Sequence, residues 1–564
     1  MKFSPRYAAL VPLGLILVGR VAFAAGVLPD RAAVASAHPL ASQAGAEILA
    51  NGGNAFDAAV AVSAALGVVE PAGSGLGGGG FFLLHRETDG MKVMIDGREV
   101  APSAAEADMY LDANGDPITR ASRDGPLAAG IPGLPAALVY LAEHYGRLSL
   151  EESLQPAIRY ARGGYRVDAS MSRGLARRGR SMNAAAQAVF LPGGEPLAEG
   201  ETLRQEDLAA TLTALAADGF DGFYRGAVAK MLVDGARAGG GIWTVDDLAS
   251  YRVIEREPLV GSYRGATVIS SPPPSSGGVV LINMLNILSG YDLGQADTVT
   301  RAHLLAEAMR RAYRDRAQYL GDTDFVDVPL ERLLHPFYAA GQRMTMRIDQ
   351  ATPSDSLPGI RATGPAGGDQ TSHFSVIDVE GNAVAATQSI NFGYGSGFMP
   401  AGTGVLLNNE MDDFSMKPGV ANGYQLLGAE ANAIAPGKRM LSSMTPTMLI
   451  DENSLSVLGT PGGSRIITMV LLASLEWVDG ADAEAMVSLP RIHHQYFPDQ
   501  IGYESDALTA EEISGLEALG HTLAGVRGDF GNMHVVIWNF DTGHVDAASD
   551  PRGIGEPRFY VPLD

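Results

Sequence analysis

Within the 564 residues of the chain, the residue whose surroundings invite chemistry is Thr371. It lies in the run Gln370-Thr371-Ser372-His373-Phe374-Ser375-Val376, which reads as the start of a strand with apolar and polar residues in alternation. A threonine hydroxyl attacks a carbonyl at neutral pH when a base takes its proton, and a chain-terminal threonine carries such a base in its own α-amine. The ordinary pKa of that amine, near 7.7–8.0, leaves a useful fraction neutral. The amine must first be freed. Attack of the same hydroxyl on the Gln370 carbonyl, an N-to-O acyl shift and hydrolysis would cut the chain there. For a threonine taken alone, an ordinary strand residue is the competing reading.

Other familiar chemistries are absent or misplaced. No serine sits in a Gly-x-Ser-x-Gly elbow, and Gly437-Lys438 is followed by Arg439, so no phosphate loop of the Gly-x-x-x-x-Gly-Lys-Ser/Thr type exists. The run Gly75–Gly80 matches a dinucleotide pattern literally but precedes a strand, where that fingerprint must follow one. His493-His494 is a tight histidine pair, but adjacent residues on a regular element point apart, so a structural role is expected rather than a metal. With no cysteine, thiol catalysis, disulfides and cysteine-ligated metals are excluded.

The elements around Thr371 alternate between helix and strand. Ala44–Leu49 and Ala55–Leu66 have the spacing of buried helices, broken at Asn51-Gly52-Gly53-Asn54, and Thr300–Leu320 reads as a long helix with Arg and Glu outward. Strands are expected at Gly80–His85, Lys92–Ile95, Val268–Ser270, His373–Asp378, Ala383–Ser389 and His534–Asn539. The segment 342–370, rich in Ser, Pro and Gly, reads as an exposed linker.

The chain carries 41 Lys+Arg and 64 Asp+Glu, a net charge of −23, which argues against nucleic acid or an anionic membrane as partner. The charge is uneven: Thr371 to Asp564 holds 8 Lys+Arg and 24 Asp+Glu, so −16 falls on 194 residues and −7 on the remaining 370. At the N-terminus, Lys2 and Arg6 precede an apolar run, Tyr7 to Gly19, followed by Ala22-Phe23-Ala24. This reads as a secretory signal (1–24) cleaved near Ala24, with an uncleaved anchor as the alternative. Secretion or export to the periplasm follows, with no membrane partner after cleavage.

Several strings resemble the γ-glutamyltranspeptidase (glutathione hydrolase) family. They include Gln370–Asp378, Gly404–Ser415, Lys438–Thr447, Gly459–Arg465 and Asp550-Pro551-Arg552, preceded by Asn51–Ala59, Gly75–Phe81, Asp96–Glu99 and Gly130–Gly133. The similarity runs in order from about Ala33 to Arg552. It implies a four-layer αββα N-terminal-nucleophile fold, made as a precursor and cleaved between Gln370 and Thr371 into two interlocked subunits, 25–370 and 371–564. The implied activity is hydrolysis or transfer of a γ-glutamyl group through a threonine acyl-enzyme. Its substrates are γ-glutamyl compounds and amino acid or peptide acceptors, and neither metal nor organic cofactor is needed.

By the same resemblance, Arg98 pairs with the substrate α-carboxylate, assisted by Ser442 and Ser443, while Asp413, Asn391 and Glu410 meet the ammonium. Gly462 and Gly463 would hold the oxyanion, Ser389 would support the nucleophile, and Tyr424 belongs to a complete lid loop, 419–437. The chain departs from the family pattern at Ser389 in place of threonine, Met440 in place of proline, and Phe392-Gly393 in place of hydroxyl residues. Tyr394 falls at an aromatic lining position, so the mouth is expected to differ. Two rivals stand beside this reading: an acylase of the same fold acting on glutaryl amides, and a catalytically silent secreted binding protein.

Overall fold

The computed structural model describes residues 26–360, 371–526, 528 and 530–562; the expected signal segment and Gln370 lie outside the described residues. The strands Ser372–Ile377 and Ala383–Ser389 form an antiparallel pair at the centre of a seven-stranded sheet. Ala32–Ser36 flanks the first and Gly79–Arg86 the second, both antiparallel. Sequence on either side of Thr371 is thus interleaved in one sheet. A six-stranded sheet repeats the pattern: Thr447–Ile450, from the later part, pairs with Ala266–Ser270 from the earlier one.

Period-two alternation sets the packing. Ala33, Phe81, Leu83, Ile377 and Ala385 of the first sheet share one apolar cluster with Met448, Leu455, Val457 and Trp538 of the second, so the sheets face each other. The opposite face of the first sheet, with Phe82, Phe374 and Val376, packs on helices that include Pro39–Ala50 and Ala55–Val69. The opposite face of the second packs on helices that include Gly277–Leu288, Thr298–Tyr319 and Ile466–Val478. The expected strands are present within a residue or two, and Ala383–Ser389 and His534–Asn539 match at both ends. The break at 51–54 is a helix start: the Asn54 side chain accepts from the backbone of Phe56 and Asp57, and Asp57 caps back onto Asn54.

The alternating strand 372–377 is buried on both faces; its polar face is satisfied internally, with His373 Nδ1 2.8 Å from Thr387 Oγ1 and Ser375 Oγ donating to the His534 carbonyl at 3.0 Å. Two local expectations are corrected. Most charged residues of Thr298–Tyr319 do not face water. Glu307, Arg310, Arg311 and Arg316 are all buried. The cover comes from the described part of the supposed linker: Thr352 Oγ1 donates to Glu307 at 2.6 Å, Arg311 donates to the Thr345 carbonyl at 3.0 Å, and Arg310 donates to Ser354 Oγ at 2.9 Å. Residues 344–360 are therefore a strap rather than a free tether, and Gln342 ends a helix, Pro336–Arg343, buried against Asp315.

Candidate active site

Thr371 immediately precedes the central strand, in the seam where the two parts of the chain interleave. Its Oγ1 lies 3.3 Å from the Ser389 hydroxyl, which closes the neighbouring strand. Ser389 Oγ also accepts from the Asn391 backbone amide at 2.7 Å, which fixes it beside the Thr371 oxygen, where either hydroxyl can donate to the other. Asn391 reaches that position in the left-handed region, φ 73°, which asparagine tolerates, and its Nδ2 anchors on the Asn409 carbonyl at 3.0 Å.

The cavity beside Thr371 is lined by Ser389, Asn391, Arg98, Glu410 and Asp413, and across from them by Ser442, Ser443, Gly463 and Tyr424. Thus ten of the residues singled out in the sequence meet in one place. Gly462 stands just behind the lining, and Gln370 is outside the described residues. The enclosed space is about 20 Å³, too small for a γ-glutamyl group, so the site is seen closed.

Electrostatics divide the cavity in two. Arg98, buried, leaves the strand Met91–Gly97 and donates to Asp413 at 2.5 Å and Glu410 at 2.9 Å, with Glu99 at 3.4 Å. Burial opposes its charge, but the three carboxylates outweigh that and push its pKa above the ordinary value. One guanidinium cannot neutralise three acids. Burial pushes Glu99 up to about 7 and raises Glu410 well above the carboxylate range, with Arg98 opposing both. Glu410 Oε1 is buried and accepts no hydrogen bond among the described residues, an orphan acceptor suited to an ammonium.

On the other side, Ser442 and Ser443 are held by a residue that reading of the sequence missed. Arg316, from the helix Thr298–Tyr319, donates to Ser443 Oγ at 3.3 Å and to Ser276 Oγ at 3.0 Å. Ser276 in turn donates to the Ser442 carbonyl at 2.7 Å. Burial lowers Arg316 to about 10 while Tyr313 and Asp413 oppose, so it stays charged at neutral pH. A signal existed: Arg316 follows Ala308 and Ala312 at four-residue spacing, on the buried stripe of its helix. A charge in that stripe marks a partnered group.

Gly462 and Gly463 precede the helix Ile466–Val478. Neither amide donates to another group among the described residues, leaving two donors at a helix N-terminus. Both glycines are required. Gly462 has φ 139°, and a Cβ on Gly463, φ 57°, would fall 2.3 Å from Tyr424 Cε1. Tyr424 closes the cavity, stacked on Phe392 at 4.5 Å between centroids and donating to the Asn391 carbonyl at 3.1 Å. Tyr394 does not line this cavity. It is buried, donates to the Met171 carbonyl at 3.2 Å, and borders a larger neighbouring cavity.

Elsewhere among the described residues, His303, Glu307 and His521 bring metal-ligand atoms within 4.8 Å of one another. These atoms are already engaged: His303 Nδ1 meets His521 Nε2 at 2.7 Å, and Glu307 is bound by Arg310, Arg311 and Thr352. Two guanidinium groups at that carboxylate make the cluster hostile to a cation. His493 and His494 are likewise held structurally, by Thr468, Gln495 and Asp499.

Residues 41–560 match the family model described as Gamma-glutamyltranspeptidase. The chain is 42% identical over 534 residues to the glutathione hydrolase proenzyme of Escherichia coli (strain K12), covering 93% of this chain and 90% of that protein. It is 45% identical over 500 residues to the glutathione hydrolase proenzyme of Pseudomonas sp. (strain A14), covering 87% and 86%. Among solved structures, the cephalosporin acylase from Bacillus halodurans superposes with a TM-score of 0.82 at 28% identity, covering 99% of each chain.

Proposed function

Because the chain belongs to the gamma-glutamyltranspeptidase family, we propose that its γ-glutamyl hydrolase and transferase activity runs through Thr371 as an N-terminal nucleophile. The observation that carries this is the meeting, in one cavity, of Thr371 with the Arg98 guanidinium, the Ser442 and Ser443 hydroxyls and the Glu410 and Asp413 carboxylates. Those groups complement the carboxylate and the ammonium that flank a γ-glutamyl amide. The fold is read as a four-layer αββα N-terminal-nucleophile sandwich. Subunits 25–370 and 371–564 would form a heterodimer after cleavage, and segment 1–24 would direct export. No helix among the described residues is long and apolar enough to cross a membrane.

Maturation begins when Thr371 Oγ1, its proton drawn toward Ser389, attacks the Gln370 carbonyl. The amide nitrogen departs as the Thr371 amine, an ester joins Gln370 to the hydroxyl, and water hydrolyses it. In turnover the freed amine accepts the hydroxyl proton as Oγ1 attacks the γ-carbonyl, then returns it to the leaving amine. The Gly462 and Gly463 amides face the charge that develops on oxygen, and loss of one such donor typically costs about 2.7–4 kcal/mol. Arg98, Ser442 and Ser443 take the α-carboxylate; Asp413, Glu410 and Asn391 take the ammonium. Water resolves the acyl-enzyme to glutamate, or an amino acid or peptide to a new γ-glutamyl compound. Glutathione is the donor class named by the relatives.

The acylase resemblance supports a second reading, a glutaryl amide substrate that lacks the ammonium. Against it stands the acidic half of the cavity, which would press on an unpaired carboxylate. Comparing γ-glutamyl with glutaryl anilide turnover decides, and faster glutaryl turnover overturns the proposal. Purified protein should run as two bands on a denaturing gel in place of one near 59 kDa, the smaller beginning Thr-Ser-His-Phe. Thr371→Ala should leave one inactive band.

A further inference from the structure

A second cavity of about 460 Å³ lies beside the catalytic one, its lining residues Phe392 and Asn409 adjoining Asn391 and Glu410 of the catalytic lining in the chain. Glu70 lines it and accepts the hydroxyl of Ser372, the residue after the nucleophile. Phe392 lines it and stacks on the lid residue Tyr424. Asn532 lines it beyond Gly531, whose Cα lies near the Gly462 position. The cavity therefore borders neighbours of the nucleophile, the lid tyrosine and the glycine turn, whereas the glutamyl side is the pocket of Arg98 and Asp413.

Its charge is unlike that of the chain as a whole. Arg120, Arg123, Arg173, Arg177, Arg178 and Arg552 line it, against Glu70 and Asp168. Several are already engaged: Asp124 pairs with Arg120 and Arg178, Asp412 with Arg123, and Glu504 and Asp550 with Arg552. Arg173 and Arg177 make no ion pair among the described residues. They sit four apart on the helix Ala169–Arg178, on the face it turns to the cavity. Burial pushes Glu70 up to about 7, which leaves it only partly ionised near neutrality, and Asp168 is bound by the Ser170 and Met171 amides.

We propose that this cavity takes the carboxylate-bearing end of the leaving peptide, and of the acceptor peptide in transfer, with Arg173 and Arg177 as its anion contacts. The inference rests on the γ-glutamyl reading and names the chemistry of the other half of the substrate. It also resolves how a protein of net charge −23 accepts an anionic substrate: a concave basic surface beside the reacting bond reverses the field locally.

The test uses the processed enzyme and an Arg173→Ala/Arg177→Ala variant, with three donors: glutathione, its glycyl ethyl ester, and γ-glutamyl p-nitroanilide, which has no carboxylate on the leaving side. The variant is expected to raise KM for glutathione roughly 5- to 20-fold, as for loss of charge-assisted hydrogen bonds at a partly exposed site. KM for the ester and the anilide should stay within about twofold, as should kcat. Equal changes for all three donors, or none for glutathione, would overturn the proposal. Failure of the unmodified enzyme to cleave the anilide would instead overturn the γ-glutamyl reading.

Discussion

Arg98 and Arg316 approach the same small cavity from opposite sides, and their environments assign them different work. Arg98 is surrounded by carboxylates and contacts Asp413 directly. Among the described residues Arg316 contacts no carboxylate within ion-pair distance, and it spends its hydrogen bonds on Ser443 and Ser276. On the proposed function it is a positioning residue, holding the serines that would receive the substrate carboxylate. Arg316→Gln should raise KM for γ-glutamyl donors about tenfold, in line with a charged hydrogen bond, with kcat and self-cleavage little changed and Arg316→Lys recovering part. A matched fall in kcat, with no recovery by lysine, would show a merely structural role. Glu70 gives a pH-dependent prediction. The folded state holds its proton up to about 7, whereas a free carboxyl titrates near 4.5. The folded state thus binds more protons across that window, and its stability falls as pH rises from about 4.5 to 7. Glu70→Gln mimics the protonated form. Its gain in unfolding free energy over the parent should be absent below pH 4.5, grow to pH 7 and level off above, reaching roughly 3 kcal/mol. A gain independent of pH would refute the assignment.

At the scale of elements, the lid and the oxyanion turn are one mechanical unit. Tyr424 lies against Gly463, stacks on Phe392 and bonds to Asn391, so lid, turn and ammonium site move together. The Gln495 side chain donates to the Tyr424 carbonyl at 3.1 Å and anchors the lid from behind. Because the closed cavity is too small for substrate, entry requires Tyr424 to swing out. Gly463→Ala should hold it out and lower kcat/KM about 100-fold, the scale of a 1 Å misplacement. Adding Tyr424→Leu should return part of the loss by removing the clash. If the double variant is no better, backbone strain at φ 57° is responsible instead.

For the whole molecule, the position of Thr371 has a consequence for assembly. Ser372–Ile377 and Ala383–Ser389 are flanked on both sides by strands from the earlier part of the chain, and the second sheet is mixed in the same way. Cleavage before Thr371 would leave two polypeptides that share two sheets and the core between them. They should co-elute as one particle in native size-exclusion chromatography and separate in denaturant. Separation under native conditions would refute the interlocked arrangement.

Much of the site was legible in the sequence, because its residues lie in short strings whose order is a local property: Asp96–Glu99, Glu410–Asp413, Ser442-Ser443 and Gly462-Gly463. Strand limits and the helix break at 51–54 were legible for the same reason, since alternation and breaker residues act over a few residues. What surrounds an element is not local. The charged face of Thr298–Tyr319 was expected in water because its period shows only which residues share a face. The tertiary structure laid residues 344–360 over that face and satisfied it. Arg98 meets Asp413 across 315 residues and Arg316 meets Ser443 across 127. The arginines of the second cavity come together through the packing of a helix and several loops. Sequence alone determined which groups could perform the chemistry and which threonine is the candidate nucleophile. The tertiary structure decided which charges are buried, which are left uncompensated and which touch, because those outcomes depend on what each side chain loses in leaving water and which distant partner replaces it.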